Sequence, residues 1–369
     1  MTIKSFGIKR ISIPLKKPFI TAVRTVTSIE AVRVALHTNE ETTGYGEAPA
    51  AALLTGETLP SIKEAISKYI ASAIVNQQVD DDLSHLIKKS IYGNNAAKAA
   101  VEMAWLDLQA QKRNMPLYKM LNNLTPSGKT ETSCKKTLTN DLTISVNTIE
   151  EMTAAALSAI NDGFLSLKIK TGSNPDKDAQ QLIELWSNIK SSQVSLRIDA
   201  NQGWSSKQAI RIIRTWEDAG LPIDIIEQPV PAWDLEGLAE VQASTSHIIA
   251  ADESVFSIHD ALRCIKLRAA KVINLKLIKT GGLLPALEIC NLCGEHGIEC
   301  MVGCTMEGHF SSSAAAHLAA SSSIITKVDI DCPLLRVSGG YVGGPEFNGP
   351  LIKMPCTPGI GVRPCGEGN

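Results

Sequence analysis

Near the start of the chain three short runs, IKRISIPL, EAVRVALH and TTGYGEAP, alternate apolar with polar residues or cluster β-branched ones. Turn residues separate them. A period of two is the pattern of a strand with one buried face, so residues 2 to 50 are expected to be antiparallel strands. The segment KPFITAVRTVTS between the first two runs reads as a polar loop of the kind that touches ligand. From about Leu59 to Leu121 the period lengthens to that of helices, most clearly in NAAKAAVEMAWLDLQAQK. The stretch NNLTPSGKTETSCKKTLTND, rich in Asn, Ser, Thr and Lys, then marks the internal boundary, which predicts an α+β domain over residues 1–130.

Beyond the boundary, short β-like runs recur, each followed by a helical segment. They are DLTISV, LSLKIK, SLRIDA, IDIIEQ, HIIAAD, VINLKL, ECMVGC and ITKVDID, eight in all, at intervals of no more than 30 residues. Parallel strands need a crossover, usually a helix, so this repetition predicts a parallel (β/α) barrel over residues 131–339. A doubly wound open sheet competes, but no Gly-x-Gly-x-x-Gly turn is present and the strand count favours closure. The Gly- and Pro-rich runs SGGYVGGPEFNGP and MPCTPGIGVRP cannot form another unit. The tail 340–369 is therefore expected to return to the N-terminal domain.

Composition narrows the partners. The 369 residues carry 36 Lys and Arg against 38 Asp and Glu, a net charge of -2, which leaves no electrostatic footprint for nucleic acid or an anionic membrane. No signal-like or membrane-spanning apolar stretch stands out, so a soluble cytoplasmic protein is expected. Nine cysteines, an odd number mostly in apolar segments, read as reduced core thiols, including the pair in CNLCGEH that looks like half a metal site.

The informative charge lies at the strand ends, which form the active face of such a barrel. Lys168 and Lys170 are an i, i+2 pair and share a face of their strand. Asp199, Glu227 and Asp252 close three consecutive strands, Lys276 lies near the end of the next, and Asp329 and Asp331 form another i, i+2 pair on the last. Three carboxylates converging on one volume cannot all stay ionised without a cation. Oxygen ligands alone favour Mg²⁺ over zinc, with Mn²⁺ as a substitute. A cap on the helix after each strand is the competing role for these acids. Across a closed barrel, Lys170 and Lys276 would present an amine to each face of a substrate carbon, the arrangement for moving a proton from one face to the other. A snorkelling edge residue, or a partner to a barrel carboxylate, is the competing role for each lysine.

The motifs LKIKTG, RIDANQGW, IEQPV, ADES and INLKLIKTGG, in this order, resemble those of the enolase superfamily, muconate-lactonizing subgroup, over nearly the whole chain. The resemblance implies a modified (β/α)₇β barrel beneath a capping domain, with one Mg²⁺ per subunit on Asp199, Glu227 and Asp252. It also implies Lys170 and Lys276 as the acid/base pair, with Lys168 as electrostatic partner. The superfamily's common step is removal of a proton α to a carboxylate, giving an enediolate. The pair Asp329 and Asp331 is similar to the Asp-x-Asp by which dipeptide epimerases bind a free α-ammonium. Arg24 stands where epimerases of L-Ala-D/L-Glu carry an arginine for the glutamate side chain. Thr143, Asn201, Glu253 and Glu307 are expected to line or support the site, and EAPAAALLTGET to close it.

The resemblance thus implies an isomerase: Mg²⁺-dependent 1,1-proton transfer at the C-terminal residue of L-Ala-D/L-Glu, in murein peptide metabolism. Another dipeptide specificity, an N-acylamino-acid racemase, an o-succinylbenzoate synthase, or an inactive binding barrel are the alternatives. A homo-oligomer is expected by analogy with related barrels.

Overall fold

The computed structural model describes residues 1–20, 25–125, 134–172, 174–189 and 193–366. Strands β1 (Ile3–Ile20), β2 (Thr25–Thr38) and β3 (Thr43–Pro49) form an antiparallel sheet in that order. The alternation seen in the sequence holds, but β1 and β2 run further than expected. Phe19 pairs with Val26 and Ile20 with Thr25, so both flanks of the expected polar loop are strand. Once a hairpin is in register, each added pair satisfies backbone groups that sequence polarity says nothing about.

The run beginning at Asn95 is a helix, Asn95–Lys112, whose alanines Ala96, Ala97, Ala100 and Ala104 are wholly buried. Small residues let it lie directly on β3. At Gly44 and Gly46 a Cβ would strike the carbonyl oxygens of Ala104 and Ala100, so these two glycines set the closeness of helix to sheet.

All eight expected barrel strands form, as β5 (Leu142–Ile144), β6 (Ser166–Lys170), β7 (Ser195–Asp199), β8 (Ile223–Glu227), β9 (Ile248–Ala251), β10 (Val272–Leu275), β11 (Glu299–Gly303) and β12 (Ile325–Asp329). They lie in sequence order in one sheet of parallel pairs. Between β12 and β5 side chains stitch the seam. Asn140 Nδ2 donates to Ile330 O at 3.0 Å, Ile330 N–H donates to Asn140 Oδ1 at 2.8 Å, and Thr143 N–H donates to Asp331 Oδ2 at 2.8 Å. The barrel is thereby nearly closed.

Alternation along each strand divides the interior by height. Ile225, Ala250, Val272 and Met301 pack together as an apolar plug, and two residues beyond Ile225, Ala250 and Val272 stand the charged Glu227 and Asp252 and the polar Asn274. At the height of Ile225, its register partner, Arg197 pairs with Asp141 at 2.7 Å. The opposite strand faces, including Leu167, Ile169, Ile198 and Ile226, join the main core.

Strand β4 (Thr137–Thr139) lies within the expected boundary segment and pairs with β15 (Leu351–Lys353) of the tail, beside β14 (Glu346–Asn348). Strands β13 (Tyr341–Gly343) and β16 (Val362–Pro364) pair with each other. The tail also reaches the N-terminal region: Ile360 N–H donates to Asp107 Oδ1 at 2.8 Å and Leu117 N–H donates to Gly359 O at 2.9 Å. All nine cysteines are free; Cys290 and Cys293 are buried helix thiols, whereas Cys356 and Cys365 of the tail are exposed, unlike the core thiols expected. Among the described residues no helix is long and apolar enough to cross a membrane.

Candidate active site

A cavity of about 270 Å³ opens at the C-terminal strand ends. Lys168, Lys170, Lys276, Thr143, Asp329 and Asp331 line it from the barrel, and Phe19, Leu53 and Leu54 from the N-terminal region. Leu53 and Leu54 belong to the run expected to close the site. Arg24, the expected partner of a side-chain carboxylate, lies outside the described residues.

Strand order sets which groups face each other. Lys170 ends β6 and Lys276 follows β10; three strands separate these two in either direction around the ring, so the lysines enter from opposite walls. Each is paired with a different carboxylate: Lys170 Nζ lies 2.5 Å from Asp199 Oδ2, and Lys276 Nζ 2.5 Å from Asp252 Oδ2. Lys168, 1 % exposed, bridges Asp199 Oδ2 at 3.1 Å, Glu227 Oε2 at 2.7 Å and Asp329 Oδ2 at 2.6 Å. Such burial excludes the snorkelling role for Lys168 and Lys276, while the competing role of partner to a barrel carboxylate is met by all three lysines as the side chains stand. The capping role for the acids fails as well, because Ser205, Asp234 and Ser257 cap the helices after β7, β8 and β9.

The electrostatics follow from burial and neighbours. Burial raises the Asp199 carboxyl, but Lys170 and Lys168 outweigh it and hold it at about 2. Asp252 is likewise held below the usual range by Lys276 and Lys279 against the effect of burial. Glu227 stands at about 7, pushed up by burial and by Asp199. For Lys276, burial acts downward, yet the charges of Asp252 and Glu227 hold it above the ordinary lysine range, and the lowering by Lys168 is weaker.

Asp331 combines two positions, its Oδ2 accepting the Thr143 N–H across the seam while the side chain also lines the cavity. Asn201 meets both Lys170 and Glu253, at 3.3 Å each. Glu307 does not line the cavity; it accepts from Thr305 N–H at 3.1 Å and from Ser311 Oγ at 2.7 Å, supporting the turn after β11. Three residues were not anticipated. Asn274 Nδ2 donates to Glu227 Oε1 at 2.9 Å, Gln228 Oε1 accepts the Asp252 N–H at 2.9 Å, and Lys279 Nζ lies 2.6 Å from Asp252 Oδ1. Their signal was adjacency: Gln228 follows Glu227, and Lys279 sits one helical turn beyond Lys276 in the short helix Leu277–Thr280. Asn201, Gln202 and Gln228 adopt φ of 43°, 70° and 36°, a left-handed backbone that costs about 1–3 kcal/mol each and clusters at working sites.

As the side chains stand, no three His, Cys, Asp or Glu groups among the described residues surround one point as ligands, and ammoniums lie between the acids. The donor chemistry still fits a hard dication. Asp199, Glu227 and Asp252 are buried carboxylates on successive strands, and Glu253 Oε2 beside them is a buried oxygen without a hydrogen bond.

Family models match two stretches: "Mandelate racemase / muconate lactonizing enzyme, N-terminal domain" over residues 6–122 and "Enolase C-terminal domain-like" over residues 151–368. The L-Ala-D/L-Glu epimerase of Clostridium acetobutylicum is 44% identical over 98% of this chain and 99% of its own. The substrate-liganded L-Ala-D/L-Glu epimerase of Bacillus subtilis superposes with a TM-score of 0.92 at 40% identity, covering 98% and 99% of the two chains. A dipeptide epimerase of Enterococcus faecalis complexed with Mg and L-Leu-L-Tyr gives 0.91 at 33% identity, covering 98% and 99%. Matched at both ends by family models and along nearly its full length by such relatives, the chain belongs to the enolase superfamily, in its mandelate racemase and muconate-lactonizing group.

Proposed function

We propose that the protein is a Mg²⁺-dependent dipeptide epimerase that inverts the C-terminal residue of L-Ala-D/L-Glu. The observation that carries this reading is the pair Lys170 and Lys276, entering one small cavity from opposite walls, each beside its own carboxylate. Residues 1–130 with the tail 340–369 serve as the cap in this reading, and 131–339 as the barrel.

Asp199, Glu227 and Asp252 would hold Mg²⁺, whose chemistry is to bind a substrate carboxylate and stabilise negative charge developing on it. One lysine, as the neutral amine, takes the α-proton from its face, breaking the C–H bond and leaving the electron pair in an enediolate. The opposite lysine, as the ammonium, returns a proton to the other face. The two end with exchanged protonation states, and the sense of inversion decides which begins as base. Lys168 holds positive charge close to the metal-binding acids, where the enediolate's charge must be stabilised. Asp329 and Asp331 receive the substrate's α-ammonium, the only cation on the substrate, and Thr143 lines the pocket beside them. Arg24 is assigned to the glutamate side chain.

The test is incubation with L-Ala-L-Glu and Mg²⁺ in deuterated water, followed by NMR. Expected is α-deuterium at the C-terminal residue together with the L,D diastereomer. In Lys170→Ala or Lys276→Ala epimerisation stops, while one diastereomer still exchanges. No exchange by the wild type on any dipeptide removes the reading; exchange on other dipeptides alone changes the specificity.

A further inference from the structure

Besides Lys168, one more lysine outside the proton transfer touches a proposed metal-binding acid, Lys279. It is wholly buried in the first turn after β10. Its ammonium donates to Asp252 O at 2.5 Å and to Asn274 O at 3.0 Å and lies 2.6 Å from Asp252 Oδ1. The Phe256 ring covers it at 5.6 Å. Two hydrogen bonds and an ion pair thus occupy the ammonium. Lys279 does not line the cavity.

We propose that Lys279 is a positioning residue: it holds one carboxylate oxygen of Asp252 back and so turns the other, Oδ2, toward the cavity. The inference rests on the reading of Asp252 as a Mg²⁺ ligand. Without the ammonium, Asp252 would keep only Lys276, at Oδ2, and the Asp252 and Asn274 carbonyls would each lose one donor, a change that a buried site relieves by rotating the side chain. The hold extends to a second acid, because Asn274, whose carbonyl Lys279 binds, donates through Nδ2 to Glu227 Oε1 at 2.9 Å.

Lys279 is itself held from the N-terminal region. Asn95 Nδ2 donates to Lys279 O at 2.5 Å, and the Glu57 carboxylate accepts the N–H groups of Ala96 and Ala97 at 2.9 and 3.1 Å. Glu57 comes shortly after Leu53 and Leu54, which line the cavity. Hydrogen bonds joined by short stretches of chain therefore connect the segment that lines the cavity, through the start of the helix Asn95–Lys112, to the proposed metal-binding acids.

Electrostatics and positioning predict opposite signs, which makes the proposal testable. Removing a positive charge this close would by itself strengthen the binding of a cation. Loss of position weakens it, by about 10- to 100-fold for groups that orient metal ligands. Mg²⁺ titration calorimetry is to be run on the wild type, Asp252→Asn, Lys279→Met and Asn95→Ala, with melting temperature followed with and without Mg²⁺. Expected is weaker Mg²⁺ binding in Lys279→Met by that factor and a smaller Mg²⁺-induced rise in Tm. At saturating Mg²⁺ its kcat is expected to recover while half-maximal rate requires more metal, a split that general loss of stability would not produce. Unchanged or tighter binding in a folded Lys279→Met overturns the proposal. If that variant fails to fold, Asn95→Ala decides: weaker Mg²⁺ binding supports the proposal and unchanged binding overturns it. Loss of binding in Asp252→Asn with normal binding in Lys279→Met rejects only Lys279's role. Normal binding in Asp252→Asn rejects the metal-ligand reading, and this proposal with it.

Discussion

His317 offers a pH-dependent test of how the chain's three parts are held together. It is wholly buried on the helix His309–Ser321, stacked on Tyr118 at 5.8 Å between ring centroids. Tyr118 N–H can only donate, so Nδ1 accepts at 3.0 Å; Nε2 then carries the hydrogen and donates to Ile360 O at 3.0 Å. One neutral ring therefore joins the N-terminal region, a barrel helix and the tail. Burial lowers its pKa from 6.5 to about 4, with the Ile360 carbonyl acting weakly the other way. A histidine lowered in the folded state contributes stability that is present above about pH 6.5 and is lost as pH falls toward 4, because the unfolded chain takes up the proton first. Integrating between these values, the wild type loses about 2.5 kcal/mol at pH 4.5 relative to pH 7.5 through this residue. The variant His317→Gln cannot titrate. At pH 7.5 it should be less stable by about 1–3 kcal/mol from the disturbed hydrogen bonds. Urea unfolding of both proteins at the two pH values isolates the term, since all other titrating groups are shared. A wild-type loss that matches the variant's to within about 0.5 kcal/mol would refute the reasoning.

Three further outcomes are expected. Gly282 has φ of 144° and precedes the helix Leu283–Glu295, whose Leu283 and Leu284 N–H groups bind the Glu102 carboxylate; a Cβ there would strike that carboxylate. Gly282→Ala should therefore cost about 2 kcal/mol or more, read from urea midpoints. Asn140→Ala removes both bonds to Ile330 at the barrel seam, which should cost about 2–3 kcal/mol and raise hydrogen exchange at Ile330 more than at β8. Lys168→Met leaves buried acids without their bridging cation; kcat for epimerisation should fall about 10²- to 10³-fold, measured by coupled assay or polarimetry at saturating Mg²⁺.

Much of the site is local enough to be read in one dimension. Lys168 and Lys170 share a face because a strand has a period of two, and the acids at 199, 227 and 252 align because each ends a repeating unit. The order of the eight strands follows from the same repetition. Lys279 stayed hidden because its partner, Asp252, is 27 residues away and its own segment changes from strand to helix between Leu275 and Leu277.

By itself, then, the sequence determined the kinds of element, their order and the charged groups at the strand ends, since periodicity and motif spacing are properties of neighbouring residues. The tertiary structure decided what depends on distant residues meeting. Side chains of Asn140 and Asp331 close the barrel where the backbone ladder stops, and Lys168 joins acids from three strands. Hairpin register, rather than polarity, carries β1 and β2 into the flanks of the expected loop. Pairings of this kind are chosen by packing and by satisfying buried polar groups across the whole fold, and no local pattern encodes them.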